Sequence, residues 1–260
     1  MLALSALYSR ELMEKSLYYF VSDVHLGLNY KDPVQRERKF SSFLENLPQN
    51  TKALYLLGDI FDFWYEYKNV IPRNFTRTLG ALARLVDRGV EVYFFNGNHD
   101  IWTYGYFEKE LGLKILKQPY IAHINGKKFC LGHGDGLGKG DIGYKLLNGV
   151  FKNRFLQWLF SGVHPRWAFA LAHQWSKHNR LMHEDDQWEW KGEDERIVKF
   201  ANELQKEHDG SIDYFIFGHF HRRTHMNLSQ GGEMFILGEW INEYDYLVFD
   251  GSGCYSRNIE

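Results

Sequence analysis

Short apolar runs alternate with longer amphipathic segments through the first hundred residues of the chain. The apolar runs at 17–23, 52–59 and 90–100 predict three buried strands, the last of them leading into a loop. The segments at 37–47 and 75–89 repeat apolar residues every three to four positions, which predicts two helices. Strands that alternate with helices predict an α/β fold with helices on the faces of a sheet.

The apolar pattern of the second half predicts more strands. Residues 120–135 place Asn125 and Gly126 between two apolar runs, which predicts a two-residue β-hairpin. Three later apolar runs predict further strands, at 212–218, 234–240 and 244–251. We expect the last two to be antiparallel, and we expect one domain over residues 1–260.

The segment at about 142–183 interrupts this order with a helical pattern. It contains no Asp or Glu and several Lys and Arg, and its aromatic residues recur at helical spacings, as at Phe151, Phe155 and Trp158. The pattern breaks near 162–165, and an acidic run then leads back to the main fold. We therefore predict a helical insertion in the domain.

Composition and charge narrow the class of protein only a little. The chain of 260 residues is 44% apolar and 25% charged, which is typical of a globular protein. Its formal net charge of −2 gives no general attraction to nucleic acid or membrane. Two cysteines suit a reducing compartment, and no segment approaches the roughly 18 apolar residues of a spanning helix. The first apolar run lacks a preceding basic residue, so we expect a cytoplasmic protein without a secretory signal.

Side chains that can bind metal follow the predicted strands, usually beside a glycine. They are two aspartates, one asparagine and four histidines: Asp23, His25, Asp59, Asn98, His133, His219 and His221. In an open α/β sheet, ligands bind beyond the carboxyl ends of the strands, so five separate segments would bring these donors to one edge. His219 and His221 are two positions apart, which in extended backbone places both rings on one face.

This set of donors indicates a particular kind of metal site. Oxygen and imidazole donors without a thiolate suit Mn²⁺, Fe²⁺ or Zn²⁺. Seven donors are too many for one such ion but suit two ions that share a bridging carboxylate. Each motif alone has an ordinary explanation, since Asp and Asn are common in turns and caps. The ordered set of five is much harder to explain in that way.

The motifs "DVH", "GD", "GNHD", "GHGD" and "GHFH" occur in an order that resembles the calcineurin-like metallophosphoesterase superfamily over nearly the whole chain. The resemblance implies a β-sandwich flanked by helices and two divalent metal ions, with Mn²⁺ expected first and Fe²⁺ or Zn²⁺ as alternatives. It implies that one ion is held by Asp23, His25, Asp59 and His221, and the other by Asp59, Asn98, His133 and His219. Asp59 would be the bridge, whereas His225 matches no ligand position.

His99, which follows Asn98, is the side chain that we expect to act on the substrate. Asn98 would be a ligand through its carbonyl oxygen, and His99 would lie beside the phosphate as a proton donor or an electrostatic clamp. The alternative is an ordinary loop histidine. Two ions about 3.5–4 Å apart can orient a phosphoryl group and activate a water, which suits phosphoester hydrolysis.

Within the superfamily, the chain resembles the UDP-2,3-diacylglucosamine pyrophosphatases of lipid A synthesis. The resemblance rests on "SDVHLG", "LGDIFDFW", "GNHDIW" and "HGDGLGKGDIGY", and on "LQWLF" and "HQWSKHNR" in the insertion. It implies attack at the α-phosphorus of the acylated UDP-sugar, release of UMP and a diacylated glucosamine 1-phosphate, and a lid that receives the acyl chains. It also implies substrate contacts from Asn98, His99, Asp141, Ser176, Asn179, Arg180 and His219.

One residue departs from this subfamily, because the residue after the ligand Asn is Arg there and His99 here. A phosphodiesterase or phosphatase acting on another lipid or nucleotide therefore stays an alternative, and a metal-free binding scaffold is a third. The acid-free, basic and aromatic insertion favours a lipid substrate and contact with the anionic inner membrane of a Gram-negative bacterium. The insertion could also be a helical hairpin that only packs on the domain. We expect no nucleic-acid partner, since the basic residues do not line an open groove.

Overall fold

The strands of the protein form two mixed sheets. The structure, a computed structural model, describes residues 16–140, 142–172, 174 and 190–259. The strands within these residues are β1 (Leu17–Val21), β2 (Thr51–Leu56), β3 (Glu91–Phe95), β4 (Lys114–Leu116), β5 (Tyr120–Ile124), β6 (Lys127–Leu131), β7 (Tyr214–Phe217), β8 (Thr224–Asn227), β9 (Glu233–Ile236), β10 (Asp245–Phe249) and β11 (Cys254–Asn258). The first sheet has the order β11-β10-β1-β2-β3-β4, and the second has the order β5-β6-β7-β9-β8.

Helices connect the strands, and others lie in the segment that the sequence predicts as an insertion. They are α1 (Pro33–Glu45), α2 (Thr76–Asp87), α3 (Tyr106–Lys109), α4 (Ile142–Lys152), α5 (Arg154–Ser161) and α6 (Arg196–Glu207). The side chain of Asp32 caps α1 by accepting the backbone N–H of Gln35, and Asn153 caps α5 in the same way. A further helical stretch at 165–172 lies in the segment predicted as an insertion. Among the described residues, no helix combines the length and the apolar character that crossing a membrane requires.

The two sheets pack face to face, and helices cover their outer faces. Apolar side chains from both inner faces form one core, in which the rings of Phe20 and Phe129 stack at 5.9 Å. Phe40 of α1 and Leu82 of α2 are buried against the outer face of the first sheet, while Val198 of α6 is buried against the second. Alternate residues of each strand thus enter different cores, as pleated strands require. The α/β architecture with helices on both faces confirms the predicted fold class.

The sequence-based assignment of strands is confirmed in part. The hairpin of β5 and β6 turns through Asn125 and Gly126, whose φ angles of +48° and +78° match a turn of the predicted kind. The expected antiparallel pairing of the last two predicted strands is wrong. They lie in different sheets, where β9 is parallel to β7 and β10 is antiparallel to β1. The prediction of one domain over residues 1–260 stays a prediction.

Candidate metal centre

Parallel strands bring the predicted metal ligands to one edge of the structure. β1, β2 and β3 run parallel in the first sheet, and β6 and β7 run parallel in the second. Asp23 and His25 follow β1, Asp59 follows β2, Asn98 follows β3, His133 follows β6, and His219 and His221 follow β7. We call these seven residues the strand-end cluster. The arrangement agrees with the general location of ligands at the carboxyl ends of strands.

Most of the strand-end cluster has left-handed backbone. The φ angles are +53° at Asp23, +49° at His25, +52° at Asp59, +73° at His219 and +50° at His221. The expectation that His219 and His221 lie in extended backbone is therefore wrong, because both residues have positive φ in the loop after β7. Such angles are uncommon outside glycine, and they concentrate at functional sites whose surroundings hold them in place.

Glycines beside the cluster allow its segments to approach closely. A Cβ atom on Gly97 would lie 2.2 Å from Oδ1 of Asp59, and one on Gly218 would lie 2.5 Å from Oδ2 of Asp23. Any larger residue at either position would displace a carboxylate of the cluster. Glycine at positions 97 and 218 is therefore a packing requirement of the site.

One group of donors forms around Asp23. Ligand atoms of Asp23, His25, Asp59 and His221 all lie within 4.8 Å of one another. The Nε2 atoms of His25 and His221 are 3.2 Å apart, and Nε2 of His221 is 3.3 Å from Oδ1 of Asp23. Oδ1 of Asp23 is buried and has no hydrogen-bond partner in the described part of the chain. A buried carboxylate oxygen that faces imidazole nitrogens without a hydrogen bond fits a divalent cation.

A second group shares Asp59 with the first. Ligand atoms of Asp59, His133 and His219 lie within 4.8 Å of one another, and Nε2 of His133 is 3.4 Å from Oδ2 of Asp59. Oδ1 of Asn98 lies 3.2 Å from Nε2 of His133 and so joins this group. Nδ1 of His133 donates to the carbonyl oxygen of Leu57 at 2.9 Å. That bond leaves Nε2 as the nitrogen that can bind a metal.

Burial and mutual charge shift the pKa values of the cluster. Burial raises the pKa of Asp23 to about 7, although the ring of His133 opposes this effect. Burial alone would raise the pKa of Asp59 too, but the rings of His133 and His99 hold it well below its usual value. Burial lowers the pKa of His219 to about 4. An ionised Asp59 and a neutral His219 are the forms that bind metal, and a bound cation would also favour the ionised form of Asp23.

Sequence reasoning missed Asp62, a buried residue that links two histidines. Its Oδ1 atom lies 3.4 Å from Nδ1 of His25 and 3.7 Å from Nδ1 of His99. Nδ1 of His99 donates to the carbonyl oxygen of Asp62 at 2.9 Å, and the backbone N–H of His99 donates to Oδ1 of Asp59 at 2.9 Å. Asp62 therefore orients a predicted ligand and the predicted catalytic histidine together. The sequence feature that could have identified Asp62 is the second aspartate of "GDIFD", three positions after Asp59.

Asp100 is a second buried carboxylate that the sequence analysis missed. It accepts backbone N–H groups from Asp59 at 3.2 Å, Ile60 at 2.8 Å, Phe61 at 3.2 Å and Gly97 at 2.8 Å. These bonds join the loop after β2 to the loop after β3. Asp100 thus holds Asp59 against the segment that carries Asn98 and His99. Asp100 itself belongs to neither of the two donor groups.

The remaining predicted site residues lie outside the described residues, and His225, which matched no ligand position, lies apart from the cluster. Four predicted substrate contacts, Asp141, Ser176, Asn179 and Arg180, lie outside the described residues and stay predictions. His225 lies on β8, where its Nε2 atom is 2.9 Å from Oε2 of Glu233 and its ring stacks on Phe235 at 4.2 Å. It belongs to none of the donor groups among the described residues.

Comparison with known proteins agrees with this geometry. The model of the calcineurin-like phosphoesterase family matches residues 17–223. The chain therefore belongs to this family, as its motifs predicted, and it is a metal-dependent hydrolase that uses divalent ions. The match spans every residue of the strand-end cluster.

Curated relatives match almost the whole chain. The UDP-2,3-diacylglucosamine hydrolase of Porphyromonas gingivalis is 37% identical over 259 residues, which cover 95% of this chain and 98% of the relative. The enzyme of the same name from Aeromonas salmonicida is 29% identical over 236 residues, covering 88% of each chain. That from Neisseria meningitidis serogroup A is also 29% identical, covering 90% of this chain and 95% of its own.

Proposed function

We propose that this enzyme hydrolyses the pyrophosphate of UDP-2,3-diacylglucosamine to UMP and 2,3-diacylglucosamine 1-phosphate, a reaction of lipid A biosynthesis. The observation that carries the proposal is the 37% identity, over almost the full length of both chains, to a UDP-2,3-diacylglucosamine hydrolase. The seven donors that meet at the strand ends support it, because hydrolysis of a phosphoanhydride suits two divalent ions.

The strand-end cluster supplies the ligands for two ions. Asp23, His25, Asp59 and His221 would hold one ion, and Asp59, Asn98, His133 and His219 would hold the other. The donors are oxygen and imidazole without thiolate, so Mn²⁺ is the ion that we propose, with Fe²⁺ or Zn²⁺ as alternatives. Bound ions would neutralise charge on the phosphoryl group and lower the pKa of a water.

His99 acts on the phosphate beside the metal centre. Its Nδ1–H is held by the carbonyl oxygen of Asp62, which fixes the ring and leaves Nε2 for a substrate oxygen. The backbone N–H of His99 donates to Oδ1 of Asp59. This bond fixes the position of His99 relative to the carboxylate that both donor groups share. In this role His99 donates a proton to a phosphoryl or leaving-group oxygen, or stabilises its charge. Substrate contacts from Asn98, His219, Asp141, Ser176, Asn179 and Arg180 belong to the same proposal.

The insertion receives the acyl chains of the substrate. Its inner aromatic residues pack on the core, with Phe160 stacked on Trp102 at 5.7 Å and Phe169 against Phe63 at 5.1 Å. Two core side chains also donate to its backbone: the Tyr65 hydroxyl to Gln157 at 2.9 Å and Trp102 Nε1 to Phe151 at 3.1 Å. Trp102, Phe160 and Phe169 are only half-buried in these contacts, so acyl chains can lie along the exposed parts of their rings.

The outward side of the insertion contacts the anionic inner membrane surface of a Gram-negative bacterium. We call its six most exposed large apolar side chains the outer apolar residues: Ile142, Leu146, Phe155, Trp158, Trp167 and Leu171. Ile142 is 82% exposed and Trp158 is 67% exposed. The described part of the insertion is basic and free of acidic residues. Such a surface favours peripheral binding to an anionic interface.

A related phosphodiesterase or phosphatase is the second candidate, because His99 stands where the lipid A enzymes carry Arg. Product analysis separates the two candidates. Purified, Mn²⁺-loaded protein is incubated with the acylated UDP-sugar, and product masses are measured. We expect UMP and the diacylated sugar 1-phosphate. Activity on generic phosphodiesters alone would favour the second candidate and contradict the first.

A further inference from the structure

A cavity lies beside the insertion, away from the strand-end cluster. Its volume is about 690 Å³, and it is lined by residues 65–71 after β2, residues 104–106 and 109–110 around α3, and one side of α5. None of the seven predicted ligands lines it, and neither does His99. We call it the lateral cavity. It is therefore separate from the site at which phosphoester chemistry is proposed.

Three cations line the lateral cavity. Lys68 and Lys109 come from the core loops, and Arg154 comes from the first turn of α5. All three side chains are exposed, and none forms an ion pair within the part of the chain that the structure describes. The core and the insertion thus contribute charge of the same sign to one concave surface. An anion is the ligand that such an arrangement attracts.

The carboxylates of the lateral cavity do not neutralise this charge completely. Glu66 is buried, and its Oε1 atom accepts the Nε1–H of Trp64 at 3.1 Å. Its Oε2 atom accepts the backbone N–H groups of Tyr104 and of Tyr106. The carboxylate of Glu66 therefore holds the loop before α3 through hydrogen bonds. Glu110 is the other carboxylate of the lining, so the three cations outnumber the carboxylates.

Trp158 links the lateral cavity to the outer apolar residues, since it is the member of that set that lines the cavity. Trp158 lines the cavity and is 67% exposed, and its ring stacks on that of Phe155 at 5.9 Å. Phe160, two positions further along α5, packs on Trp102 and Tyr65 instead. Residues two apart lie on nearly opposite sides of a helix, so Trp158 and Phe160 lie on different sides of α5, while Tyr65 both packs on Phe160 and lines the cavity. A ligand that satisfies both surfaces has an anionic head and an apolar body.

We propose that the lateral cavity binds the phosphate headgroup of an anionic phospholipid in the bilayer while the outer apolar residues contact its acyl region. This inference rests on the membrane contact proposed above and adds a defined headgroup site to it. Cations close to a membrane surface attract anionic lipids. Trp158 joins the charged and the apolar parts, as tryptophan does at membrane interfaces.

Paired variants distinguish binding in the lateral cavity from a general attraction of basic residues to the anionic membrane. Lys109→Ala/Arg154→Ala removes two cavity cations, and Lys152→Ala/Arg166→Ala removes two insertion cations that do not line the cavity. Binding of the full-length protein is measured by co-sedimentation with phosphatidylcholine vesicles that contain phosphatidylglycerol. We expect the cavity variant to bind at least about 10-fold more weakly and the control to change less than about 3-fold. Equal losses, or unchanged binding of the cavity variant, would overturn the proposal.

Two further measurements identify the ligand and separate the headgroup site from the proposed enzymatic function. Glycerol 3-phosphate, which carries a phosphate without acyl chains, should leave vesicle binding unchanged, and complete displacement would assign the cavity to soluble phosphate esters instead. Hydrolysis of a small phosphodiester should be equal in the parent and both variants, because none of the four residues belongs to the metal centre. If the parent prefers anionic vesicles through the cavity yet releases no UMP, the proposed substrate is wrong and the headgroup site stands. If the parent binds no vesicles but releases UMP, the headgroup site is wrong.

Discussion

The strand-end cluster and the insertion are built in opposite ways. The cluster buries charged and polar side chains, with Asp23 and His133 at 0% exposure and Asp59 at 1%. The insertion exposes apolar side chains, among them Ile142 at 82% and Trp158 at 67%. The first arrangement needs an ion to compensate buried charge, whereas the second needs an apolar partner. We therefore propose that chemistry and substrate selection are divided between these two regions of the chain.

The largest effect is expected at Asp59, the residue that both donor groups share. Asp59→Ala should lose both ions and lower kcat by roughly 10³-fold or more, because the ions provide several kcal/mol of stabilisation in the transition state. Metal content per chain and turnover of a small phosphodiester are the measurements. Asn98→Ala is the matched variant and should weaken one ion only. Two tightly bound ions in Asp59→Ala would show that Asp59 is not the bridge.

A somewhat smaller effect is expected at His99. His99→Ala should lower kcat by roughly 10²–10⁴-fold with the metal content unchanged, because it removes a proton donor or clamp and no ligand. Steady-state kinetics together with metal analysis provides the test. His99→Arg should restore much of the rate if the role is purely electrostatic. Normal turnover of His99→Ala would make it an ordinary loop residue.

Deleting residues 142–183 tests whether hydrolysis and the selection of acyl chains reside in separate regions. The shortened protein should keep slow hydrolysis of a small phosphodiester, since no residue of the strand-end cluster lies in the insertion. Its preference for longer acyl chains in the UDP-sugar should disappear. The ratio of kcat/KM for long-chain and short-chain substrates is the quantity to compare with the parent. An unchanged ratio would mean that the insertion does not bind acyl chains.

The smallest effect is expected on stability at the exposed tryptophan of the insertion. Trp158→Ala should change the free energy of unfolding by no more than about 0.5 kcal/mol, because most of its surface already contacts water. Trp64 is fully buried, so Trp64→Ala should cost about 3–5 kcal/mol. Urea unfolding of both variants gives the comparison. A large loss in Trp158→Ala would indicate that Trp158 packs on the protein and is not a surface for a partner.

The sequence predicted the parts of the fold that carry strong local patterns. Apolar runs identified the central strands, and the Asn125–Gly126 turn identified the hairpin. β4 was missed because it has three residues, and β8, with the sequence "THMN", has no apolar run. The partners of β9 and β10 could not be predicted, since pairing depends on contacts between segments far apart in the chain.

The candidate site was easier to predict in composition than in geometry. Motifs after strands pointed to the seven residues that the structure brings together. The positive φ angles of His219 and His221 follow from the packing of loops and not from a local pattern. Asp62 and Asp100 were missed because their roles are to orient other residues. The lateral cavity depends on the way α5 lies against the loops after β2 and before α3, which no single segment specifies.

The most direct test of the central claim is the dependence of kcat/KM on acyl-chain length in the intact, Mn²⁺-loaded enzyme. The claim is that the strand-end cluster performs the hydrolysis and the insertion selects an acylated UDP-sugar. Each methylene that the insertion encloses is worth about 0.8 kcal/mol, so kcat/KM should rise up to several-fold per methylene and stop at the end of the binding surface. A kcat/KM that is indifferent to chain length would contradict the claim.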